Sequence, residues 1–481
     1  MRKGKASGQW LLVLLPLAVA AVLRCLYVAK PDIGNDECFS LFYAQQSLSG
    51  LLHGLASCDN PPLWELLLHF WILLFGIGTV SLRAMSLIFS VATVVPIYMA
   101  GERYVARHAG LAASLVYACS TFSIFLAHDG RVYSLVGFLS AWSLYLFLTL
   151  ANRQGGVRHW VWLAVVNVLL MYGHYLTFWV IAVEALIVLV HKETRKAMWH
   201  GGLLHIGVLL ACYIPMIPTL IGRFLESGLN GTWIERTTSV DRLYYMFCCM
   251  CNAPVVTVLA LGLMIAALTM AIISRKKNGN ALRLTLFWSV PLLVSFALSF
   301  YRGFFQDRYF YFLFPVFYIS LAAYAVAVAG QCKWLRYTLL AAMVLLMALS
   351  VKPDSTKMRY GGWKGDTSAV AERINELTSS GGVNVVLVPH WIDKQIVYYL
   401  DSSHAAFASE GRIEQPVFEP YLSPQGWFYD GGELNPQSDT VLVVHEQWWD
   451  MGYVEQSLSD LGYHQVGDER FLQLAISIFH R

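Results

Sequence analysis

The stretch Ile33-Gly34-Asn35-Asp36-Glu37 directly follows the first long apolar run of this chain. A second acidic stretch, Asp59-Asn60-Pro61-Pro62-Leu63-Trp64, comes about twenty residues later in the same loop. Ionisable side chains at the edge of a membrane are costly to desolvate and therefore mark functional sites. We predict that these two clusters belong to an enzyme site at a membrane surface.

The composition is that of a polytopic membrane protein. Of 481 residues, 57% are hydrophobic and 14% are charged, and the mean hydropathy is +0.52. Soluble domains carry roughly a quarter charged residues. The net charge of +3 is too small to indicate a nucleic-acid partner, and no basic run interleaved with aromatic residues occurs.

Apolar runs long enough to cross a ~30 Å hydrocarbon core recur along most of the chain. They predict about eleven transmembrane helices. The predicted spans are 9–29, 80–100, 111–127, 132–150, 160–172, 175–190, 202–221, 253–273, 284–300, 311–329 and 337–351. In the first outward loop, 37–52 and 62–75 are expected to form amphipathic or apolar helices at the membrane surface.

Basic residues mark alternate loops, as at Arg103, Arg153, Lys192, Arg275 and Lys333, and the acidic clusters lie in the opposite loops. Basic short loops favour the cytoplasm. This pattern predicts a cytoplasmic amino terminus and an outward-facing carboxyl terminus.

From about residue 352 the composition becomes that of a soluble domain. Helices are expected over 366–378, 392–400 and 454–461, the last followed by the segment 471–479, and strands over 383–388 and 440–444. Alternating helices and strands favour a small α/β domain. The predicted domains are therefore a transmembrane catalytic domain, 1–351, and an accessory outward-facing domain, 352–481.

The outward loops supply the parts of a group-transfer site. No pool of nucleotide sugars exists outside the cytoplasm, so a transferase there needs a membrane-borne donor such as a polyprenyl-phosphate sugar. Such a reaction needs a carboxylate base for an acceptor hydroxyl and cations for the leaving phosphate. Asp36 and Glu37, supported by Asp59, provide the carboxylates. The outward arginines, which suit phosphate, are Arg131, Arg302 and Arg308.

In order and spacing, these motifs resemble the protein O-mannosyltransferase and lipid A aminoarabinose transferase superfamily of GT-C glycosyltransferases. The matching stretches are Asn35-Asp36-Glu37, Asp59-Asn60-Pro61-Pro62-Leu63-Trp64, Phe75-Gly76, Ser81-Leu82-Arg83, His128-Asp129-Gly130-Arg131-Val132-Tyr133, Gly173-His174-Tyr175, Asp307-Arg308-Tyr309 and, in the tail, Gly362-Trp363-Lys364-Gly365-Asp366. The resemblance implies a GT-C fold of α-helical polytopic type with a small C-terminal α/β periplasmic domain. The central luminal domain of the eukaryotic enzymes has no counterpart, which favours a bacterial enzyme of the inner membrane.

The resemblance also implies roles for individual residues. Asp36 would be the catalytic base or would orient the acceptor, and Glu37 would support it. Asp59 and Asn60 would help to shape the donor site. The residues expected around the donor phosphate are Arg131, Tyr133, His174, Arg308 and Tyr309. No cofactor is certain, but Asp36 and Asp59 would suit a divalent metal ion. The reaction would be inverting.

Simpler interpretations of the same residues remain open. Asp36 and Glu37 could cap a helix, Arg131 and Arg308 could be interfacial side chains, and His174 could be a buried structural residue. A membrane transporter or flippase for a lipid-linked sugar is the alternative function, since such proteins also use membrane acids and arginines. A polymerase or ligase of surface polysaccharide is a third possibility.

The sequence names neither the sugar nor the acceptor, which could be lipid A, another lipid, a glycan or a protein. It also leaves open the oligomeric state and a disulfide between Cys38 and Cys58, which share the first outward loop.

Overall fold

The fold is described from a computed structural model. It covers residues 11–56, 60–230, 234–274, 279–354, 367–379, 383–389, 392–400, 434 and 438–481. By contacts, the chain divides into two compact units. Unit 1 comprises Met1–Val28, Leu52–Leu67 and Arg83–Ser355, and unit 2 comprises Ala29–Leu51, Leu68–Leu82 and Thr356–Arg481.

The described part of the first 350 residues is helical almost throughout, as the apolar runs predict. The helices are Leu14–Cys25, Asn35–Gln45, Leu48–Ala56, Leu63–Phe75, Thr79–Ala92, Val94–Tyr104, Ala109–Ala118, Thr121–Ala127, Tyr133–Ala151, Val157–Gly173, Phe178–Val190, Lys192–Tyr213, Ile217–Asn230, Asp241–Cys251, Pro254–Ser274, Gly279–Ser299, Phe314–Ala329 and Lys333–Ser350.

Within the described residues, seven helical segments are long and apolar enough to cross a membrane, or eight if one bent pair counts as a span. That pair, Ala109–Ala118 and Thr121–Ala127, is bent by 60°. Shorter apolar helices account for the other predicted spans. A polytopic helical architecture is confirmed, whereas the number of spans, predicted as about eleven, stays a prediction.

The prediction of one helix over 37–52 is wrong, because the chain breaks between Asn35–Gln45 and Leu48–Ala56. Gln46 has an extended backbone, and the Ser47 hydroxyl accepts a hydrogen bond from the Gly50 N–H at the start of the second helix. Serine competes with the helical backbone in this way and therefore begins helices more readily than it continues them.

A buried arginine ties several helices of unit 1 together. The Arg24 Nε donates to Ser90 Oγ at 2.7 Å, and Nη1 donates to the Ala118 carbonyl at 3.1 Å. Its guanidinium lies 4.9 Å from the centre of the Tyr117 ring. The carbonyl oxygen of Arg24 lies 2.8 Å from His128 Nε2. This network fixes the turn that carries Arg131.

Two glycines allow two helices of unit 1 to pack closely. A Cβ atom at Gly101 would lie 2.4 Å from Gly110 Cα, and one at Gly110 would lie 2.1 Å from the Tyr98 carbonyl oxygen. Both distances are far inside van der Waals contact. Helices Val94–Tyr104 and Ala109–Ala118 can therefore approach so closely only because both positions lack a side chain.

Unit 2 contains a four-stranded sheet with the order β1-β2-β4-β3. The strands are β1 (Val383–Val388), β2 (Thr440–Glu446), β3 (His464–Arg470) and β4 (Leu474–His480). β1 and β2 run parallel, and the other two pairs run antiparallel. The tail helices are Thr367–Thr378, Asp393–Leu400 and Gly452–Asp460.

The predicted α/β character of the tail is confirmed, with helices and strands within a few residues of the expected ranges. Edge strand β3 was not predicted. The division of domains at residue 352 stays a prediction. Contacts in the structure group two segments of the first loop with the tail in unit 2.

Candidate functional site

In unit 1, the turn before helix Tyr133–Ala151 is held from two directions. The Trp64 Nε1–H donates to the Gly130 carbonyl at 2.9 Å, and the Ser86 hydroxyl donates to the Arg131 carbonyl at 3.1 Å. Trp64 is 1% exposed, and its helix begins directly after two prolines, which favour the first turn of a helix. The backbone of Arg131 is therefore fixed by buried side chains.

Glu65, the neighbour of Trp64, pairs with Arg131. Its Oε1 lies 3.6 Å from Arg131 Nη1, and the two residues are 1% and 5% exposed. A buried guanidinium is costly without an opposite charge. Glu65 therefore offsets part of the desolvation cost of burying the charged Arg131 side chain.

Four further predicted site residues gather at this end of the unit. The ring centres of His174 and Tyr309 are 5.0 Å apart, and those of Tyr133 and His174 are 6.2 Å apart. The Arg308 guanidinium carbon lies 5.8 Å from the centres of both tyrosine rings. Three segments distant in sequence thus place cations and aromatic rings side by side.

The protonation of His174 follows from its contacts. Its Nδ1 accepts the Leu176 N–H at 3.2 Å, so the proton of the neutral ring sits on Nε2. A small part of its surface is accessible. Burial first, and then the charges of Arg131 and Arg308, lower the pKa of His174 to about 4. At neutral pH it is an uncharged hydrogen-bond donor between two arginines.

We define the anion cluster as Arg131, Tyr133, His174, Arg308 and Tyr309. Two guanidinium groups supply positive charge, and arginine can hold a phosphate through two parallel hydrogen bonds. The imidazole of His174 supplies a further N–H at Nε2. This arrangement suits a phosphate group that becomes more negative during a reaction.

The residues predicted as catalytic lie in unit 2. Glu37 is buried, and its Oε2 accepts the Gly34 N–H at 2.9 Å, so it caps helix Asn35–Gln45. Asp36 is half-buried in the first turn of the same helix. Both acids therefore lie where a negative charge favours the start of a helix, and Glu37 in addition caps it through the Gly34 N–H.

The tail holds the segment that precedes Asp36. The Ile33 N–H donates to the Tyr399 hydroxyl at 2.7 Å, and Asp32 Oδ2 accepts the Ser368 N–H at 2.7 Å. Lys394 Nζ lies 5.1 Å from the centre of the Phe42 ring. Both ends of the Asp36 segment are thus fixed within unit 2.

Not every predicted site residue can be placed. Asp59 and Cys58 lie outside the described residues, and Asn60 is half-buried at the start of the Pro61-Pro62 turn. No group of three or more histidine, cysteine or acidic residues suited to a metal occurs in the described part of the chain. The metal site at Asp36 and Asp59 and the disulfide therefore stay predictions.

Sequence reasoning missed Glu65 as a member of the site. The available signal was a single carboxylate in the apolar helix LWELLLHFWILLF. Its partner is 66 residues further along the chain, so only the folded structure identifies the pair.

Comparison with known proteins agrees with this architecture. Residues 59–221 match the family model of dolichyl-phosphate-mannose-protein mannosyltransferases. No curated protein sequence matches the chain.

Among solved structures, ArnT from Cupriavidus metallidurans matches in its apo state and in a form bound to undecaprenyl phosphate. Each superposes with a TM-score of 0.61 and 14% identity over 98% of both chains. The apo oligosaccharyltransferase of Archaeoglobus fulgidus gives a TM-score of 0.52 at 11% identity, covering 83% of this chain and 64% of its own.

These matches confirm the resemblance to GT-C glycosyltransferases. The chain has an ArnT-like GT-C fold, and its family match contains Arg131, Tyr133 and His174. Fold and family match together support a membrane glycosyltransferase.

Proposed function

We propose that this protein is an inverting glycosyltransferase that moves a sugar from a polyprenyl-phosphate donor to an acceptor at the outer face of a bacterial inner membrane. The observation that carries the proposal is the anion cluster, which occurs in a fold shared with a protein that binds undecaprenyl phosphate. The polyprenyl chain would enter from the lipid and leave the phosphate at the membrane edge.

The anion cluster would act on the leaving group. As the bond between the anomeric carbon and the phosphate oxygen breaks, the diester monoanion becomes a monoester with additional negative charge. Arg131 and Arg308 would stabilise that charge, and His174 Nε2–H would donate a hydrogen bond to it. Glu65 would keep Arg131 in place throughout.

Asp36 would act on the acceptor. Its carboxylate would take the proton from the acceptor hydroxyl while that oxygen attacks the anomeric carbon from the face opposite the phosphate. One displacement forms the new glycosidic bond, breaks the old one and inverts the configuration. A phosphate acceptor would not need this proton transfer.

The orientation of the chain follows from the same proposal. Basic loops would lie in the cytoplasm, as would the amino terminus, and the tail would lie in the periplasm. Contacts between Arg103 and Gln154, between Arg283 and Asn152 and between Asn280 and the Tyr104 carbonyl bring three basic loop ends together, which supports their sharing one face.

The test is transfer by purified protein in lipid nanodiscs from a panel of polyprenyl-phosphate sugars. We compare wild type with Asp36→Asn and, as a matched control in the same loop, with Asp32→Asn, whose amide oxygen can still accept the Ser368 N–H. Loss of a general base costs ~10²–10⁴-fold in rate, so Asp36→Asn is expected to lose about 10³-fold in kcat and to keep its donor affinity. Asp32→Asn should stay within about threefold of wild type.

Full activity of a folded Asp36→Asn protein would show that Asp36 is not the base. If wild type binds the donors but never cleaves them, the transferase proposal fails. Movement of intact donor across proteoliposomes would then favour the flippase alternative.

A further inference from the structure

A cavity lies at the far end of unit 1 from the anion cluster. Helix Tyr133–Ala151 connects the two ends, and its 19 residues span about 28 Å, close to the thickness of a hydrocarbon core. The cavity has a volume of about 730 Å³. Its apolar wall includes Ala267, Leu268, Ala271, Ile272, Leu282 and Ala327.

A buried cation, Arg283, lies beside this cavity and is 5% exposed. Its Nη1 donates to Asn280 Oδ1 at 2.9 Å and to Asn152 Oδ1 at 3.3 Å, and Nη2 lies 3.5 Å from Nδ1 of His191, which lines the cavity. Its Nε is buried and makes no hydrogen bond to the part of the chain that the structure describes. These partners are two amide oxygens and an imidazole nitrogen, and none of them is an acid.

No carboxylate in the described ranges forms an ion pair with Arg283. The acid nearest in sequence to its partners is Glu193, which lines the cavity and lies 3.9 Å from Lys196. An uncompensated buried charge is expensive. The local field therefore favours an anion supplied from outside the chain.

The rim of the cavity adds further positive charge. His191 Nδ1 accepts the Thr194 N–H at 3.2 Å and so caps helix Lys192–Tyr213. The amino terminus of this helix carries a partial positive charge, and the exposed Lys192 lines the rim beside it. Among the described residues that line the cavity, Glu193 is the one acidic side chain.

We propose that this cavity binds an anionic phospholipid of the leaflet opposite the anion cluster. The phosphate group lies at the rim formed by His191 and Lys192, above Arg283, and an acyl chain occupies the apolar wall. A free phosphate matches the charge but leaves this wall empty, whereas a zwitterionic lipid fills the wall but brings its own cation. The inference concerns binding alone and does not depend on the proposed transfer reaction.

The experiment uses delipidated full-length protein titrated with phosphatidylglycerol or phosphatidylcholine and read by native mass spectrometry. Wild type is expected to prefer phosphatidylglycerol by at least about fivefold. Lys192→Gln should lose about fivefold in phosphatidylglycerol affinity, as expected for one basic residue near an anionic headgroup. Lys333→Gln is the control, because Lys333 also begins a helix but does not line the cavity.

A second pair of variants tests the apolar wall. Ala271→Trp fills the cavity and is expected to lower the affinity for both lipids, whereas Ala266→Trp, on the same helix outside the wall, should not. Unchanged phosphatidylglycerol affinity in both Lys192→Gln and Ala271→Trp would overturn the proposal. Displacement of the lipid by millimolar inorganic phosphate would instead identify a site for a soluble anion and would also overturn it.

Discussion

The pairing of Glu65 with Arg131 leads to the first residue-scale prediction. Both side chains are buried, so Glu65→Gln removes a buried negative charge 3.6 Å from the Arg131 guanidinium. We expect a loss of about 3 kcal/mol in the free energy of unfolding, since breaking a buried pair costs about 3–5 kcal/mol. The measurement is denaturant unfolding in detergent.

The control for this prediction is Glu193→Gln, which removes an exposed acid 3.9 Å from Lys196 and should change stability by less than about 0.5 kcal/mol. In a double-mutant cycle, Arg131→Met should recover part of the loss caused by Glu65→Gln. Strictly additive effects of the two substitutions would mean that the pair contributes no coupling.

His174 gives a prediction on pH. Its pKa of about 4 is low because of burial and the two arginines, so a bound phosphate diester, which brings negative charge, must raise this pKa. Binding is then linked to proton uptake, and donor affinity should increase as the pH falls from 7 towards 4. The diester stays a monoanion over this range, so its own titration does not contribute.

The measurement is donor affinity by isothermal titration at several pH values. His174→Gln keeps a polar side chain but cannot titrate, and it should abolish the dependence on pH. An equal dependence in this variant would place the titrating group elsewhere.

At the residue scale, the sequence indicated the members of the anion cluster but not the contacts between distant segments. The arginines, tyrosines and histidine of the anion cluster were identified by their motifs, because each motif is local in sequence. The capping contact of Glu37 with Gly34 was foreseen as one alternative. The Glu65–Arg131 pair was not predicted, because it depends on two turns meeting in space.

At the scale of elements, helix Asp393–Leu400 positions the segment before Asp36. Tyr399→Phe removes the acceptor of the Ile33 N–H and leaves that buried donor without its partner. Burial raises the pKa of the Tyr399 phenol, so this hydroxyl is protonated at neutral pH. We expect transfer to fall about tenfold in kcat with donor affinity unchanged, because the base would be less well positioned.

The matched control is Tyr463→Phe. The Tyr463 hydroxyl donates to the Ser438 carbonyl at 2.6 Å within the tail, away from the Asp36 segment. This variant should lose stability but keep kcat. If the two variants lose kcat equally, Tyr399 acts only through the stability of the tail.

The strands of the tail show which elements a sequence can reveal. β2 and β4 are almost continuously buried and read as apolar runs. β3, with the sequence HQVGDER, is an edge strand with mostly exposed residues and a register shift between Gln465 and Gly467. Its sequence lacks the apolar periodicity by which strands are recognised. The strand forms because its backbone pairs with β4, and this pairing does not require apolar side chains.

At the scale of the whole molecule, sequence position and folding unit differ. Hydropathy separates the membrane part from the tail near residue 352, because composition changes there. It cannot reveal that Ala29–Leu51 and Leu68–Leu82 group with the tail. Those segments are joined by specific contacts, such as His69 Nδ1 with the Ala44 carbonyl at 2.8 Å, which leave no trace in composition.

This grouping predicts the result of removing the tail. Deletion of 356–481 takes away Tyr399, Ser368 and Lys394, which contact the Asp36 segment. Transfer should then be lost, whereas affinity for the polyprenyl-phosphate sugar should stay within about threefold, because the anion cluster lies in unit 1. Exposure of helix Asn35–Gln45 should also make it a substrate for chymotrypsin at Phe39 and Phe42.

The control for the deletion is Trp448→Ala, which changes an exposed tail side chain and should alter neither property. A truncated protein that transfers sugar normally and resists cleavage at Phe39 would show that the first loop holds Asp36 without help. Loss of donor affinity together with transfer would mean that the deletion also disrupts unit 1. Loss of transfer with donor affinity kept assigns the tail to positioning the base. That result separates donor binding by the anion cluster from acceptor activation by Asp36.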